Sequence, residues 1–193
     1  MDEATIKYIA VLSMLIDHIA FCLNQYAVID PGLYTAMRIA GRLAFPLFCY
    51  TTVQGVLHTE NVKRYILRLL VFACLSEIPF DLMSSGAAWN PESQNVLFTP
   101  AISAAMLFLL PKNPLHFTPW VWQADVLILA MISAVLLKSD YSWIGPALVF
   151  VFYISGIRLD NGKRGRQSKY FFYLFYPLHM LILWFLFTHG GTL

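Results

Sequence analysis

Apolar residues run through this chain in blocks too long and too uniform for the surface helices of a water-soluble protein, each block interrupted by few polar positions. Seven such blocks lie at 7–29, 36–58, 62–84, 95–110, 119–137, 141–157 and 170–188. At about 1.5 Å per residue most of them can cross a hydrocarbon layer near 30 Å thick, and the fourth and sixth are the shortest. Pro100 and Pro146 fall near the starts of those two, where a missing N–H does least harm, whereas Pro46, Pro79 and Pro177 fall inside blocks and are expected to kink them. The pattern predicts an all-α polytopic transmembrane bundle of about seven spans, with residues 1–193 as a single domain.

Composition agrees with the pattern: 59% of residues are hydrophobic, 16% aromatic and only 12% charged, with a mean hydropathy of +0.63. That balance points to an integral membrane protein and away from nucleic-acid binding. The first block holds Asp17, His18, Asn24 and Gln25 and lacks a small-residue cleavage site, so it is expected to stay as a helix rather than be removed as a signal peptide. Cys22, Cys49 and Cys74 each lie in an apolar block without CxxC spacing and read as packing residues.

Basic residues set the expected orientation. The connector 158–169 carries Arg158, Lys163, Arg164, Arg166 and Lys169, and with that connector in the cytoplasm the same face collects Lys7, Lys63, Arg64 and Lys112. The opposite connectors hold only Lys138. The amino terminus is therefore expected inside and the carboxyl terminus outside. The basic connector serves either as a topology determinant alone or also as a phosphate-binding rim.

Polar residues at bilayer depth are the candidate chemistry, since a charge at a helix centre costs roughly 2.5–3.5 kcal/mol even on insertion scales. Asp17 and His18 lie roughly 16 Å along a helix from Lys7, near the midplane. Residues 14, 17, 18, 21, 24 and 25 share one broad face, so polarity there is concentrated on one side. His18 is either a hydrogen-bonded interior histidine or a reactive one. Asp17, about 100° round the helix from His18, need not touch it and is free to hold an arginine or a neighbouring helix. His179 is expected at similar depth, just past the kink at Pro177, where it can meet the first helix.

Arg38 and Arg42 sit four apart on one face with Gly41 between them, and Glu77 and Asp81 repeat that spacing at matching depth on the third block. The foursome reads either as a structural ion-pair network or as the lining of an outward-facing cavity. Asn95 and Thr99 open the fourth block from outside, as helix caps or as part of that cavity. Arg68, a short way into the third block, either snorkels to the inner surface as an anchor or reaches a phosphate.

A membrane-embedded neutral imidazole can act as a general base while an amine or hydroxyl attacks a carbonyl, assistance typically worth about 10²- to 10⁴-fold. An arginine can stabilise the developing oxyanion. GxSxG, HExxH and Walker motifs are absent from the sequence, and two histidines alone are a weak metal site, so no metal is expected. A basic cytoplasmic rim with a midplane histidine suits acyl transfer across a membrane.

Five blocks carry a specific resemblance: KYIAVLSMLIDHIA at 7–20, RIAGRLAFPLFCYTTVQGVLHT at 38–59, YILRLLVFACLSEIPFDL at 65–82, NVLFT at 95–99 and KYFFYLFYPLHMLIL at 169–183. They resemble the TraX family of membrane acetyltransferases, known for acetylating the amino terminus of a conjugative pilin and related to the wider transmembrane acyltransferases. The resemblance implies acetyl-CoA taken from the cytoplasm as co-substrate, and an acceptor at the periplasmic or extracellular face, either a peptide amino terminus or a glycan. The early-helix histidine of the wider acyltransferases corresponds here to His18, by position and chemistry, the arginines of RIAGR are Arg38 and Arg42, and the resemblance implies a bacterial cytoplasmic (inner) membrane crossed many times.

The expected assignment follows. His18 is the general base, Asp17 or Glu77 tunes it or aligns the acceptor, Arg42 stabilises charge, and His179 completes the catalytic set. Lys63, Arg64, Arg68, Arg158, Lys163, Arg164 and Arg166 take the phosphates of acetyl-CoA, and Arg38, Asp81, Asn95 and Thr99 line the acceptor cavity. Direct attack is favoured over an acetyl-histidine intermediate, because one histidine serves as base without covalent chemistry. The alternative is a small proton-coupled transporter in which Asp17, His18, Glu77 and His179 form a relay.

Overall fold

The computed structural model describes residues 1–26, 29–112, 119–163 and 171–189. Among them are eight α-helices: α1 Glu3–Tyr26, α2 Pro31–Arg42, α3 Ala44–His58, α4 Val62–Ser85, α5 Phe98–Phe108, α6 Trp120–Leu136, α7 Ile144–Ser155 and α8 Phe171–His189. α1 and α8 are long and apolar enough to cross a membrane. α5, α6 and α7 are shorter apolar helices.

The second apolar block departs from the single span that the sequence pattern suggests, because it breaks at Leu43 into α2 and α3. Pro46 explains the break: its ring conflicts with the carbonyl four residues earlier, that of Arg42, and it offers no N–H in return. Pro79 and Pro177, in contrast, are carried inside α4 and α8. Local sequence chemistry sets other boundaries. Asp30 caps α2 by accepting a hydrogen bond from Leu33 N at 3.0 Å, with Pro31 in the first turn. Asp2 precedes α1 and accepts hydrogen bonds from the backbone N and the hydroxyl of Thr5, which lower its carboxyl below the usual range. Gly156 ends α7 at φ 61°, a left-handed position that favours glycine.

The chain divides into two compact units. The first comprises Met1–Leu47, Leu75–Asn90 and Asp160–Leu193, and the second Phe48–Cys74 and Pro91–Leu159. In the first unit α1 packs against both α2 and α8. Ring contacts pair Tyr8 with Phe171 and Phe172, His18 with His179, and Tyr26 with Phe187, so positions rise together and the two helices run parallel. α2 runs antiparallel to α1, since Asp17 meets Arg38 while Ser13 meets Ala40 and Gly41. Asn161 N donates to Met1 O and Glu3 N to Lys163 O, both at 2.9 Å, which ties the start of the basic connector to the amino-terminal end of α1.

In the second unit α5, α6 and α7 pack on one another. The turn between α6 and α7 places Lys138, Tyr141 and Ser142 at positive φ, a costly conformation for residues other than glycine. It is held by Gln94 N donating to Lys138 O, Asp140 N donating to Gln94 O, and the hydroxyl of Thr99 donating to Asp140 O at 2.5 Å. Tyr153 on α7 donates its hydroxyl to Pro111 O at 2.6 Å.

Candidate active site

The polar residues expected in the membrane fall into two sets, one in each unit. Asp17, His18, Arg38, Arg42, Glu77, Asp81 and His179 belong to the first unit, while Asn95 and Thr99 belong to the second.

The centre of the first set is a pair of imidazoles. Nδ1 of His18 lies 2.7 Å from Nε2 of His179, with the rings 4.9 Å apart and 7° from parallel. Nδ1 of His179 lies 2.8 Å from the carbonyl oxygen of Phe175, one helical turn earlier on α8. His179 is buried and His18 half-buried, and Tyr176 packs edge-on against both rings. The contact arises because α1 and α8 run parallel and bring these two positions to one depth.

Beside the pair, Asp17 holds an arginine. Nη1 of Arg38 donates to Oδ2 of Asp17 at 2.6 Å, and the charge of Arg42 also acts on that carboxylate. Close helix approach makes this possible: Gly41 lies directly against Asp17, and the hydroxyl of Ser13 donates to the carbonyls of Ala40 and Gly41. Glu77 and Asp81 on α4 are buried. Asp81 is engaged structurally, its Oδ2 accepting from Asn90 N at 2.8 Å and so closing the turn after α4.

Asn95 and Thr99 are as deeply buried as Asp81, and both are committed to the fold of the second unit. Asn95 donates its amide to Ala73 O at 2.8 Å and accepts from Leu97 N at 3.0 Å. Leu97 at the N-cap of α5 makes no side-chain cap, and Asn95 serves the helix start only by taking the N–H of Leu97. Thr99 holds the strained α6–α7 turn instead.

Of the basic residues assigned to phosphates, Lys63, Arg64, Arg68 and Arg158 lie in the second unit and Lys163 in the first. Arg164 and Arg166 lie outside the described residues. Lys63 stands 5.7 Å from the centre of the Phe108 ring. Nε of Arg68 is buried and has no hydrogen-bond acceptor among the described residues, an orphaned donor of the kind an anionic group satisfies. Lys163 is exposed beside the start of α1. The donor chemistry fits a phosphorylated co-substrate. No group of three or more His, Cys, Asp or Glu side chains among the described residues is placed to hold a metal ion.

Sequence reasoning overlooked Ser13, Tyr176 and the carbonyl of Phe175 as parts of the site. Ser13 carried a legible signal, since it lies four positions before Asp17 on one face of α1; the Phe175 carbonyl carries none, being backbone.

This geometry defines a helical protein with two helices long and apolar enough to cross a membrane, a hydrogen-bonded imidazole pair between them and an adjacent ion pair. Residues 2–160 match the sequence model of the TraX family, described as TraX protein, and the chain belongs to that family. His179 and the whole of α8 lie beyond the matched residues. The chain is also similar to the probable fimbrial assembly protein FimC, serogroup H1, of Dichelobacter nodosus, at 27% identity with 92% of each chain covered. No solved structure gives a significant match.

Proposed function

We propose that this protein is a multi-pass inner-membrane acetyltransferase that moves an acetyl group from cytoplasmic acetyl-CoA to an amine or hydroxyl acceptor at the outer face. The observation that carries the reading is the hydrogen-bonded pair of His18 and His179 inside an apolar helical unit. Family membership and the similarity to a fimbrial assembly protein support the amino terminus of a surface-appendage subunit as the acceptor, with a glycan as the alternative. The parallel course of α1 and α8 supports an odd number of crossings, with α2 and α3 forming one broken span and seven spans in all. The hydrogen bonds between residues 161–163 and the start of α1 support a common cytoplasmic face for the amino terminus and the basic connector, which leaves the carboxyl terminus outside.

Acetyl-CoA supplies an acyl carbon activated by a thiolate leaving group. His18 takes the proton from the acceptor's N–H or O–H as that atom forms a bond to the acyl carbon, and it returns the proton to the sulfur as the carbon–sulfur bond breaks. The products are the acetylated acceptor and free CoA. Arg42 contributes positive charge where the carbonyl oxygen becomes negative. Asp17, held by Arg38, fixes α1 against α2, and buried Glu77 and Asp81 give the acceptor side an acidic character. Arg68 with Lys63, Arg64 and Arg158 of the second unit holds the phosphates, the orphaned Nε of Arg68 being the strongest support.

The test uses purified protein in sealed vesicles supplied with acetyl-CoA and a peptide-amine or glycan acceptor. His18→Ala should abolish transfer while folding and acetyl-CoA binding persist. Activity within about threefold of the parent would remove His18 from the chemical step. A proton-coupled transporter would show neither stabilisation by acetyl-CoA nor slow release of free CoA.

A further inference from the structure

The two contacts of His179 decide which nitrogen carries each proton. A backbone carbonyl only accepts, so Nδ1 of His179, 2.8 Å from Phe175 O, must be the protonated nitrogen of that ring. In a neutral imidazole the other nitrogen, Nε2, is then a bare acceptor. It lies 2.7 Å from Nδ1 of His18, which must therefore donate. The reverse arrangement would set a lone pair of His179 against the lone pairs of Phe175 O. Neutral His18 is left with its proton on Nδ1 and a free lone pair on Nε2.

We infer that His179 is a positioning residue that, through the Phe175 carbonyl, locks His18 in the Nδ1–H form and makes Nε2 of His18 the basic nitrogen. The inference rests on the acetyl-transfer reading for its consequence, though not for the tautomer itself. When Nε2 of His18 takes a proton, the positive charge spreads along the line from His18 to His179 and is faced by the carbonyl of Phe175. A base oriented by a third group is the logic of hydrolytic triads, with a second imidazole and a peptide carbonyl here in the place of a carboxylate. Asp17 does not fill that place, because Nδ1 of His18 is directed at His179 while the carboxylate of Asp17 holds Arg38. The arrangement also separates the roles of the two histidines: both nitrogens of His179 are engaged, so only His18 has a nitrogen free to meet an acceptor.

The experiment is nitrogen-15 NMR of histidine-labelled full-length protein in lipid nanodiscs, with resonances assigned through single-histidine variants. Nε2 of His18 should resonate as an unprotonated nitrogen and Nδ1 as a protonated one. His179→Gln, whose amide oxygen reaches close to the position of Nε2, should keep that pattern, whereas His179→Leu should shift His18 toward the Nε2–H form. In the transfer assay His179→Leu should lower kcat by roughly 10²-fold or more with KM within about twofold, and His179→Gln should recover most of the loss. Loss of stability alone would not move the tautomer. A protonated Nε2 on His18 in the parent protein overturns the inference even if neither variant folds. The Nδ1–H pattern in a protein that transfers no acetyl group would instead leave the lock standing and remove the acetyltransferase reading.

Discussion

Gly41 of α2 lies so close to Asp17 of α1 that a methyl group on Gly41 would stand 2.8 Å from the Cα of Asp17 and 2.6 Å from its Oδ1. Cβ of Asp17 is nearer still, and Cα and Cβ move only with the backbone of α1 and cannot swing aside, so the absence of a side chain is what lets the two helices touch at the level of the ion pair. The same approach brings the hydroxyl of Ser13 onto the carbonyls of Ala40 and Gly41. Gly41→Ala should therefore force α1 from α2 and lower stability by about 1–3 kcal/mol, the usual cost of overpacking. Thermal unfolding in detergent reads this directly, and an unchanged midpoint would show that the helices separate without cost.

Arg38 and Asp17 form an ion pair at 2.6 Å with both side chains largely shielded. Removing Asp17 takes the carboxylate from Arg38, and removing Arg38 leaves that carboxylate only the charge of Arg42; breaking such a pair costs about 3–5 kcal/mol where the site is fully buried and less where it is partly open. Arg38→Ala and Asp17→Ala should each destabilise the protein, and the double variant should be less damaging than the two losses added. Strict additivity in that cycle would mean that the contact contributes no coupling.

A methyl group on Gly145 would overlap Cγ2 of Thr99, and Thr99 is held in place by its hydrogen bond to Asp140 O. Gly145→Ala should lower the melting temperature. Adding Thr99→Ser, which keeps the hydroxyl and deletes the methyl, should recover most of the loss. A double variant no more stable than the single one would place the cause elsewhere.

The orphaned Nε of Arg68 gives the proposed phosphate site its sharpest test. Arg68→Gln should raise the KM for acetyl-CoA about fivefold, the equivalent of a ~1 kcal/mol charged contact, and should weaken the dependence of KM on ionic strength. The melting temperature should change little. An unaltered KM would leave Arg68 as an interfacial anchor only.

By itself the sequence determined the apolar helices, a distortion at Pro46, and the presence of Asp17, His18 and His179 within apolar helices; the caps at Asp30 and Gly156 are equally local in origin, although the apolar pattern did not reveal them. All of these follow from local rules, since apolar runs, proline geometry and rise per residue act over a turn or two of chain. The motif blocks spread along the chain were likewise enough to place it in its family. Depth along a helix does not fix which neighbour a side chain faces, and there the tertiary structure decided. It joined His18 to His179 across 161 positions of sequence, gave Asp17 to Arg38, and committed Asp81, Asn95 and Thr99 to closing turns and bracing loops. Those outcomes depend on helix rotation and on how closely backbones approach, quantities set by packing at Gly41 and Gly145 that a linear pattern of polar and apolar residues does not encode. The protonation order of the histidine pair goes one level further, because it depends on the backbone oxygen of Phe175, and no side-chain pattern reports where that atom points.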